Sequence, residues 1–363
     1  MTGAAAHSAE GAFVRIALDA MGTDRHPHVE VQGAVRALRE VSGDFEVVLL
    51  GDGTAIEAEL AVCENYPQDR LHVVHTPEVI KPGEPAVTAV RRKPKSSIVM
   101  GLGMQREGTS DAFVSAGSTG AVMAASLFLL RPLPGVDRPA IGTPLPTAAQ
   151  PIMLLDAGAN VDCKPAHLLQ FARLGSVYVE DLWRRSRPRV GLLNIGEEPE
   201  KGDERTVAAH RLLAASDLNF IGNVEGYDVV RGTCDVLVAD GFVGNVLLKF
   251  YESVTGFMHR LLRQELAEQE ARVDLDRLFH VFDYTEYGGA PLLGVNGVSI
   301  ICHGGSPPRA IANAIRVAVQ AVDTRLVGHI RDEVESHPGD VEVSRTPHEP
   351  AAYGSAGSAE EDA

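Results

Sequence analysis

The sequence predicts an α/β fold built on a mainly parallel sheet with helices on both faces. Three observations carry this. Short, continuously apolar runs recur along the chain and alternate with segments of helical periodicity. Six of these runs stop at a polar residue beside a glycine. Aromatic residues make up only 5% of the chain while glycines number 36, a balance that suits an α/β protein with many tight turns better than an all-β sandwich.

Taken in order, residues 1–12 are small and polar and read as a flexible N-terminal arm, without the charged head and apolar stretch of a secretory signal. Strands are expected near 13–19, 46–51, 71–75, 112–116, 151–156, 189–194, 235–240 and 298–302. Helical patterns fall between them, at about 27–41, 54–63, 86–107, 119–130, 165–181, 203–215, 243–267 and 307–326. The stretch Arg131-Pro132-Leu133-Pro134-Gly135-Val136-Asp137-Arg138-Pro139 breaks helix and strand alike and reads as a loop between two halves. The folded body is set at 13–331. From Asp332 to Ala363 nine acids face one arginine in a Pro/Ser/Gly/Ala-rich setting, so 332–363 is read as an acidic disordered tail.

The chain has 363 residues, 45% of them hydrophobic, enough for a large buried core. Half of the net charge of −16 sits in the tail, and the body stays acidic, which argues against nucleic-acid binding. Cys63, Cys163, Cys234 and Cys302 stand far apart with no CxxC pair, which fits a reducing cytosol and neither a disulfide framework nor a zinc knuckle. No apolar stretch approaches the roughly 18–20 residues of a membrane span.

The six glycine-marked ends are Asp19 to Gly22, Ser115 to Gly117, Asp156 to Asn160, Asn194 to Glu198, Asp240 to Asn245 and Cys302 to Gly305. Ligands of open α/β sheets lie outside the carboxyl ends of the strands, so one large site on one sheet edge is expected. Ser115-Ala116-Gly117-Ser118-Thr119-Gly120 joins a strand to a helix and offers hydroxyls and a helix N-terminus to an anion such as phosphate, or serves only as an N-cap. The turns at Asp156, Asn194 and Asp240 each bring a carboxylate, an amide or a lysine: Asn160 and Lys164, Glu197 and Lys201, Asn245 and Lys249. The basic run Arg91-Arg92-Lys93-Pro94-Lys95 is a solvated helix face or a receptor for an acidic protein or a phosphate group. Within an amphipathic segment at about 251–280, Val254, Phe257, Met258, Leu261, Leu262 and Leu266 line one face; the helix either packs on protein or touches an anionic bilayer.

Other chemistries lack support. There is no P-loop, no HExxH and no GxSxG, and Gly101-Leu102-Gly103 lacks the third glycine of a dinucleotide fingerprint.

The ordered set Asp19-Ala20-Met21-Gly22, Ser115 to Gly120, Gly135-Val136-Asp137-Arg138-Pro139-Ala140, Leu155 to Asn160, Leu193 to Glu198, Asn223-Val224-Glu225-Gly226, Asp240 to Asn245 and Tyr287 to Gly294 resembles the bacterial phosphate acyltransferases of phospholipid synthesis, the PlsX family. The resemblance covers about 13–327. Two positions depart from the family pattern: Thr23 stands where a glycine is usual, and Ser118 where asparagine is. The resemblance implies a three-layer α/β/α Rossmann-like fold, similar to isopropylmalate dehydrogenases and phosphotransacetylases. It implies acyl transfer from acyl-acyl carrier protein to inorganic phosphate, a homodimer, and a cytoplasmic location at the inner face of the membrane. There it would feed a membrane glycerol 3-phosphate acyltransferase, with Val254–Leu266 as a peripheral contact.

On that reading no cofactor or metal is needed, because phosphate is itself a nucleophile at neutral pH. The site must hold phosphate in line and stabilise an oxyanion. Ser115, Gly117, Ser118, Thr119 and Gly120 are then the phosphate turn, with Lys164 or Lys201. Asn160, Asn194 and Asn245 are candidate carbonyl donors. Asp19, Asp240 and Glu197 are candidates to orient lysines or take the phosphate proton, and His303 to protonate the leaving thiolate. Lys249 is supporting, and Arg91, Arg92, Lys93 and Lys95 are carrier-binding. The rivals are a coenzyme A-dependent phosphate acyltransferase, a decarboxylating dehydrogenase and a non-enzymatic carrier-binding scaffold.

Overall fold

The computed structural model describes residues 13–268, 287–338 and 340. The N-terminal arm, the part of the amphipathic segment beyond Glu268 and most of the tail lie outside the described residues. In chain order the strands are β1 (Val14–Asp19), β2 (Phe45–Gly51), β3 (Leu71–His75), β4 (Ala112–Ser115), β5 (Ala140–Ile141), β6 (Thr143–Leu145), β7 (Ile152–Leu155), β8 (Val190–Leu193), β9 (Phe220–Val224), β10 (Val236–Val238), β11 (Ala290–Leu293) and β12 (Val298–Ile301). The helices are α1 (His28–Glu40), α2 (Gly53–Leu60), α3 (Ala86–Arg92), α4 (Ser97–Arg106), α5 (Thr119–Leu129), α6 (Pro165–Trp183), α7 (Glu204–Ala215), α8 (Gly226–Arg231), α9 (Gly241–Glu268), α10 (Pro308–Asp323) and α11 (Leu326–Ser336).

The apolar runs are strands because both faces of each are covered. In β2 every residue is buried; Val47 and Leu49 join the core under α1 and α10, while Val48 and Leu50 join the core under α4 and α5. This is the three-layer α/β/α arrangement. The single expected sheet, however, is two. Seven strands run in the order β3-β2-β1-β4-β12-β11-β5, and five in the order β6-β7-β10-β8-β9. Pairing is parallel through β3 to β12 and through β7 to β9, with antiparallel β11, β5 and β6 where the sheets meet.

The chain crosses between the sheets at Gly142, where a Cβ would lie 3.0 Å from Met153 Sδ. Asp156 fastens the crossing. Its buried carboxylate accepts from Ile141 N–H (3.0 Å), Gly158 N–H, Ala159 N–H, Asn160 N–H (2.6 Å) and the Asn160 amide (3.0 Å). The one expected site is therefore assembled from the ends of two sheets facing a junction.

Other expectations shift for local reasons. The helix expected over 86–107 is two, because Pro94 cannot continue α3, and Ser96 caps α4 by accepting from Val99 N–H. Strands β5, β6, β9 and β11 and helices α8 and α11 were not expected. The tail boundary at 332 falls too early: α11 runs to Ser336. The nearly buried Arg173 of α6 pairs with Asp217 (2.9 Å), Glu333 (2.8 Å) and Asp340 (2.6 Å).

Candidate active site at the sheet junction

The ends of β1, β4 and β12 are in register, Asp19 opposite Ser115 and Ser115 opposite Ile301. Asp19 is fully buried. It accepts from the Ser115 hydroxyl (2.7 Å) and from Met21 N–H (3.0 Å), while Ser115 Oγ accepts from Gly117 N–H (3.0 Å). Burial raises the Asp19 carboxyl above its ordinary range, and the hydrogen bonds oppose this. A Cβ on Gly22 would lie 2.6 Å from Gly117 N, so only glycine lets the two turns touch. The Ser115 hydroxyl is thus spent on holding the turn, and the group the turn offers outward is Thr119, exposed at the start of α5.

Across the junction, Asp240 caps α9 by accepting from Phe242 and Val243 N–H, and pairs with Arg205 (2.9 Å). Gly241 lies on the Asp156 turn: a Cβ there would meet Asn160 O at 2.7 Å. The Asn160 amide donates to Pro139 O and Asp156, and the Asn194 amide to Lys201 O. Both donors of the Asn160 amide are therefore committed, one of the Asn194 amide's two is, and neither residue lines the cleft described below. Asp19 and Asp240 orient a hydroxyl and an arginine rather than lysines, and Glu197 accepts from the Tyr227 hydroxyl.

Between the two sets of ends lies a cleft of about 340 Å³. Of the expected site residues it gathers Thr119, Asn245, Lys249 and His303. Asn245, Leu248, Lys249 and Glu252 recur at helical spacing, so α9 presents one face to the cleft. His303 Nδ1 accepts from Gly305 N–H (3.1 Å), which places the ring proton on Nε2. Lys164, the N-cap of α6, and Lys201, in the exposed loop after β8, do not line the cleft. Ser306 and Glu252 do, and sequence reading missed both. The spacing of Glu252 from Asn245 and Lys249 on one helix was a usable signal.

The basic run is less free than its sequence suggests. Lys93 donates to Glu84 (2.6 Å) and Val79 O (2.8 Å), and Arg91 lies over the Phe128 ring while staying exposed; Arg92 and Lys95 are exposed as well. The Gly135–Ala140 segment has a structural duty. Asp137 bonds His167 Nε2 (2.8 Å), while His167 Nδ1 accepts from Lys164 N–H. That acceptance requires a neutral ring. It agrees with the depressed pKa that burial gives His167, against the pull of the half-exposed Asp137.

Comparison with known proteins bears on this geometry. The model of a family described as fatty acid synthesis protein matches residues 14–328. A phosphate acyltransferase of Desulforamulus reducens is 48% identical over 334 residues, covering 90% of this chain and 99% of its own length. The chain belongs to the phosphate acyltransferase family. Another member, from Salinibacter ruber, is 47% identical over 88% of this chain and 97% of its own.

Among solved structures, phosphotransacetylases share the fold of this family member. The one from Streptococcus pyogenes has a TM-score of 0.59 at 18% identity, over 86% of this chain and 94% of its own. The one from Staphylococcus aureus has a TM-score of 0.57 at 17% identity, over 86% and 95%. Among the described residues no group of three or more His, Cys, Asp or Glu side chains is placed so that it could hold a metal ion, and no helix is long and apolar enough to cross a membrane.

Proposed function

We propose that the protein transfers an acyl group from an acyl-acyl carrier protein to inorganic phosphate, yielding an acyl phosphate and free carrier protein for phospholipid synthesis. The observation that carries this reading is the cleft itself. In a member of the phosphate acyltransferase family, a helix N-terminus, an ammonium, an amide and an imidazole from both sheets converge beside apolar strand ends.

Phosphate sits against Thr119, the α5 N-terminus and Lys249, where dipole and charge both favour an anion. A phosphate oxygen attacks the thioester carbonyl. The Asn245 amide, which makes no hydrogen bond among the described residues, donates to the oxyanion that forms. Collapse breaks the C–S bond and the electron pair leaves with sulfur, to which neutral His303 donates a hydrogen bond from Nε2–H. The phosphate proton released on attack reaches the thiolate through solvent and completes the thiol. A donor aimed at charge that develops in the transition state contributes about a hundredfold. Arg92 and Lys95 are the remaining candidates to meet an acidic carrier.

The outer face of α9 supports the homodimer and membrane-contact expectations. Phe242, Val246, Phe250, Val254, Phe257 and Leu261 are each 41–67% exposed along it. That is a stripe that water leaves unsatisfied.

The test is incubation of purified protein with acyl-carrier protein and phosphate, reading free carrier thiol. Phosphate-dependent thiol release is expected. Thiol release that ignores phosphate, or none, sinks the reading. A preference for acyl-coenzyme A in direct competition would reassign the donor.

A further inference from the structure

We propose that Ser306 is a further phosphate-holding residue, and that its hydroxyl acts as a hydrogen-bond donor and not as an acyl-accepting nucleophile. The proposal rests on the acyl-transfer reading and adds a residue to its anion site.

Ser306 is only 3% exposed, yet it lines the cleft. Its hydroxyl makes no hydrogen bond among the described residues. Buried hydroxyls are ordinarily paired. Those of β4, α5 and β12 are spent within the fold: Ser115 Oγ donates to Asp19, and Ser126 Oγ pairs with Ser299 Oγ. A buried donor that the fold leaves unused at the wall of a cleft is one that a ligand can satisfy.

The place of this donor is fixed by its turn. Ser306 N–H donates to His303 O (2.9 Å), Gly305 N–H to His303 Nδ1 (3.1 Å) and Asp24 N–H to Gly304 O (2.9 Å). Cys302 N–H donates to Ser115 O (2.8 Å), so the turn after β12 runs beside the turn after β4. Two neighbouring turns thus bring one unpaired hydroxyl each, Thr119 and Ser306, to the cleft that Lys249 enters from α9.

Backbone donors are scarce at this point. α10 begins at Pro308 with Pro307 as its N-cap, so neither position has an N–H, and Ala310 N–H turns back to Pro307 O (2.9 Å). An anion beside this helix start meets a hydroxyl where a helix N-terminus ordinarily offers N–H groups.

The same turn argues against a nucleophile. A serine is activated by a base within hydrogen-bond reach. His303 Nδ1 already accepts from Gly305 N–H, and Nε2 carries the ring proton, so neither nitrogen takes the Ser306 proton. Ser306 donates to no carboxylate among the described residues. What is left to the hydroxyl is a charge-assisted bond to a phosphate oxygen.

The experiment uses the full-length protein and three variants. Ser306→Ala and Ser306→Gly remove the hydroxyl and keep the N–H that bonds His303 O; Ser306→Thr keeps both. Circular dichroism checks each fold. The KM for phosphate should rise about tenfold or more in the alanine and glycine variants, with the KM for the acyl donor unchanged, and return toward the parent value with threonine. Titration calorimetry with inorganic phosphate alone should show the same weakening without any turnover.

Unchanged phosphate KM and binding in folded Ser306→Ala overturn the proposal, and phosphate-dependent thiol release in that case leaves the acyl-transfer reading standing. Donor and phosphate KM rising together, without rescue by threonine, also overturn it, as a distorted turn. So does an acyl adduct on the intact parent that Ser306→Ala loses, read by mass spectrometry. If no donor is turned over but phosphate binding weakens in Ser306→Ala and recovers in Ser306→Thr, Ser306 keeps its role and the acyl-transfer reading falls.

Discussion

Single side chains at the site divide into those that hold turns and those that face the cleft. Glu30 belongs to the first kind. It is fully buried on α1, accepts from Thr23 N–H (2.6 Å) through one oxygen, and its other oxygen has no partner. Burial pushes its carboxyl from 4.5 up to about 7. The folded state therefore keeps a proton that the unfolded chain gives up. Stability is full below about 4.5 and is lost as pH rises through about 7, by on the order of 3 kcal/mol. Glu30→Gln should flatten this loss, leaving the variant more stable than the parent at pH 8 but not at pH 4. Urea unfolding at both values checks it, and parallel pH profiles would contradict it.

For the second kind, Lys249→Ala should raise the KM for phosphate about tenfold or more, and His303→Ala should lower kcat about a hundredfold. Lys164→Ala and Lys201→Ala serve as the comparison. A larger phosphate effect at Lys201 than at Lys249 would move the anion to the β8 end.

Among the elements, what the sequence made legible was the set of strands buried on both faces. Val47 to Leu50 and Val236 to Val238 are continuous apolar runs, and their helices carry plain periodicity. The glycines at strand ends were also legible as close approaches, and Gly22 and Gly241 make such contacts. What was hidden has physical causes. β5 and β6 are too short, and one contains Pro144, so no alternation can show. β9 is a half-exposed edge strand interrupted by Gly222 at φ +101°. The end of α11, from Asp332 to Ser336, reads as tail because its acids look solvating, whereas Glu333 is spent on Arg173. Asn160 and Asn194 could not be told from catalytic amides, because their partners, Pro139 O and Lys201 O, are set by the fold. Removing the cation from the α6–α11 cluster leaves carboxylates gathered around a hole. Arg173→Ala should cost about 3 kcal/mol, read by denaturant unfolding.

At the level of the whole molecule, the site exists only where two sheets meet, so its integrity depends on the Asp156 clasp. Asp156→Ala orphans several backbone N–H groups together, each costing about 1–3 kcal/mol. It should lower the unfolding midpoint and abolish turnover at once. Retained activity with lost stability would show that the cleft survives without the crossing. The apolar stripe on α9 makes a prediction about association. Phe250→Asp with Phe257→Asp should convert a dimer to a monomer in sedimentation, and an unchanged sedimentation coefficient would exclude that face.

α9 has two working sides. Its inner residues touch the substrate cleft, and its outer residues ask for a cover. A single rigid rod with a ligand on one flank and a partner on the other is a thermodynamic lever. A partner that bound the outer flank and changed phosphate affinity by some factor would have its own affinity changed by phosphate by the same factor. Assembly and substrate occupancy would then report on each other in this protein without any signal crossing its core.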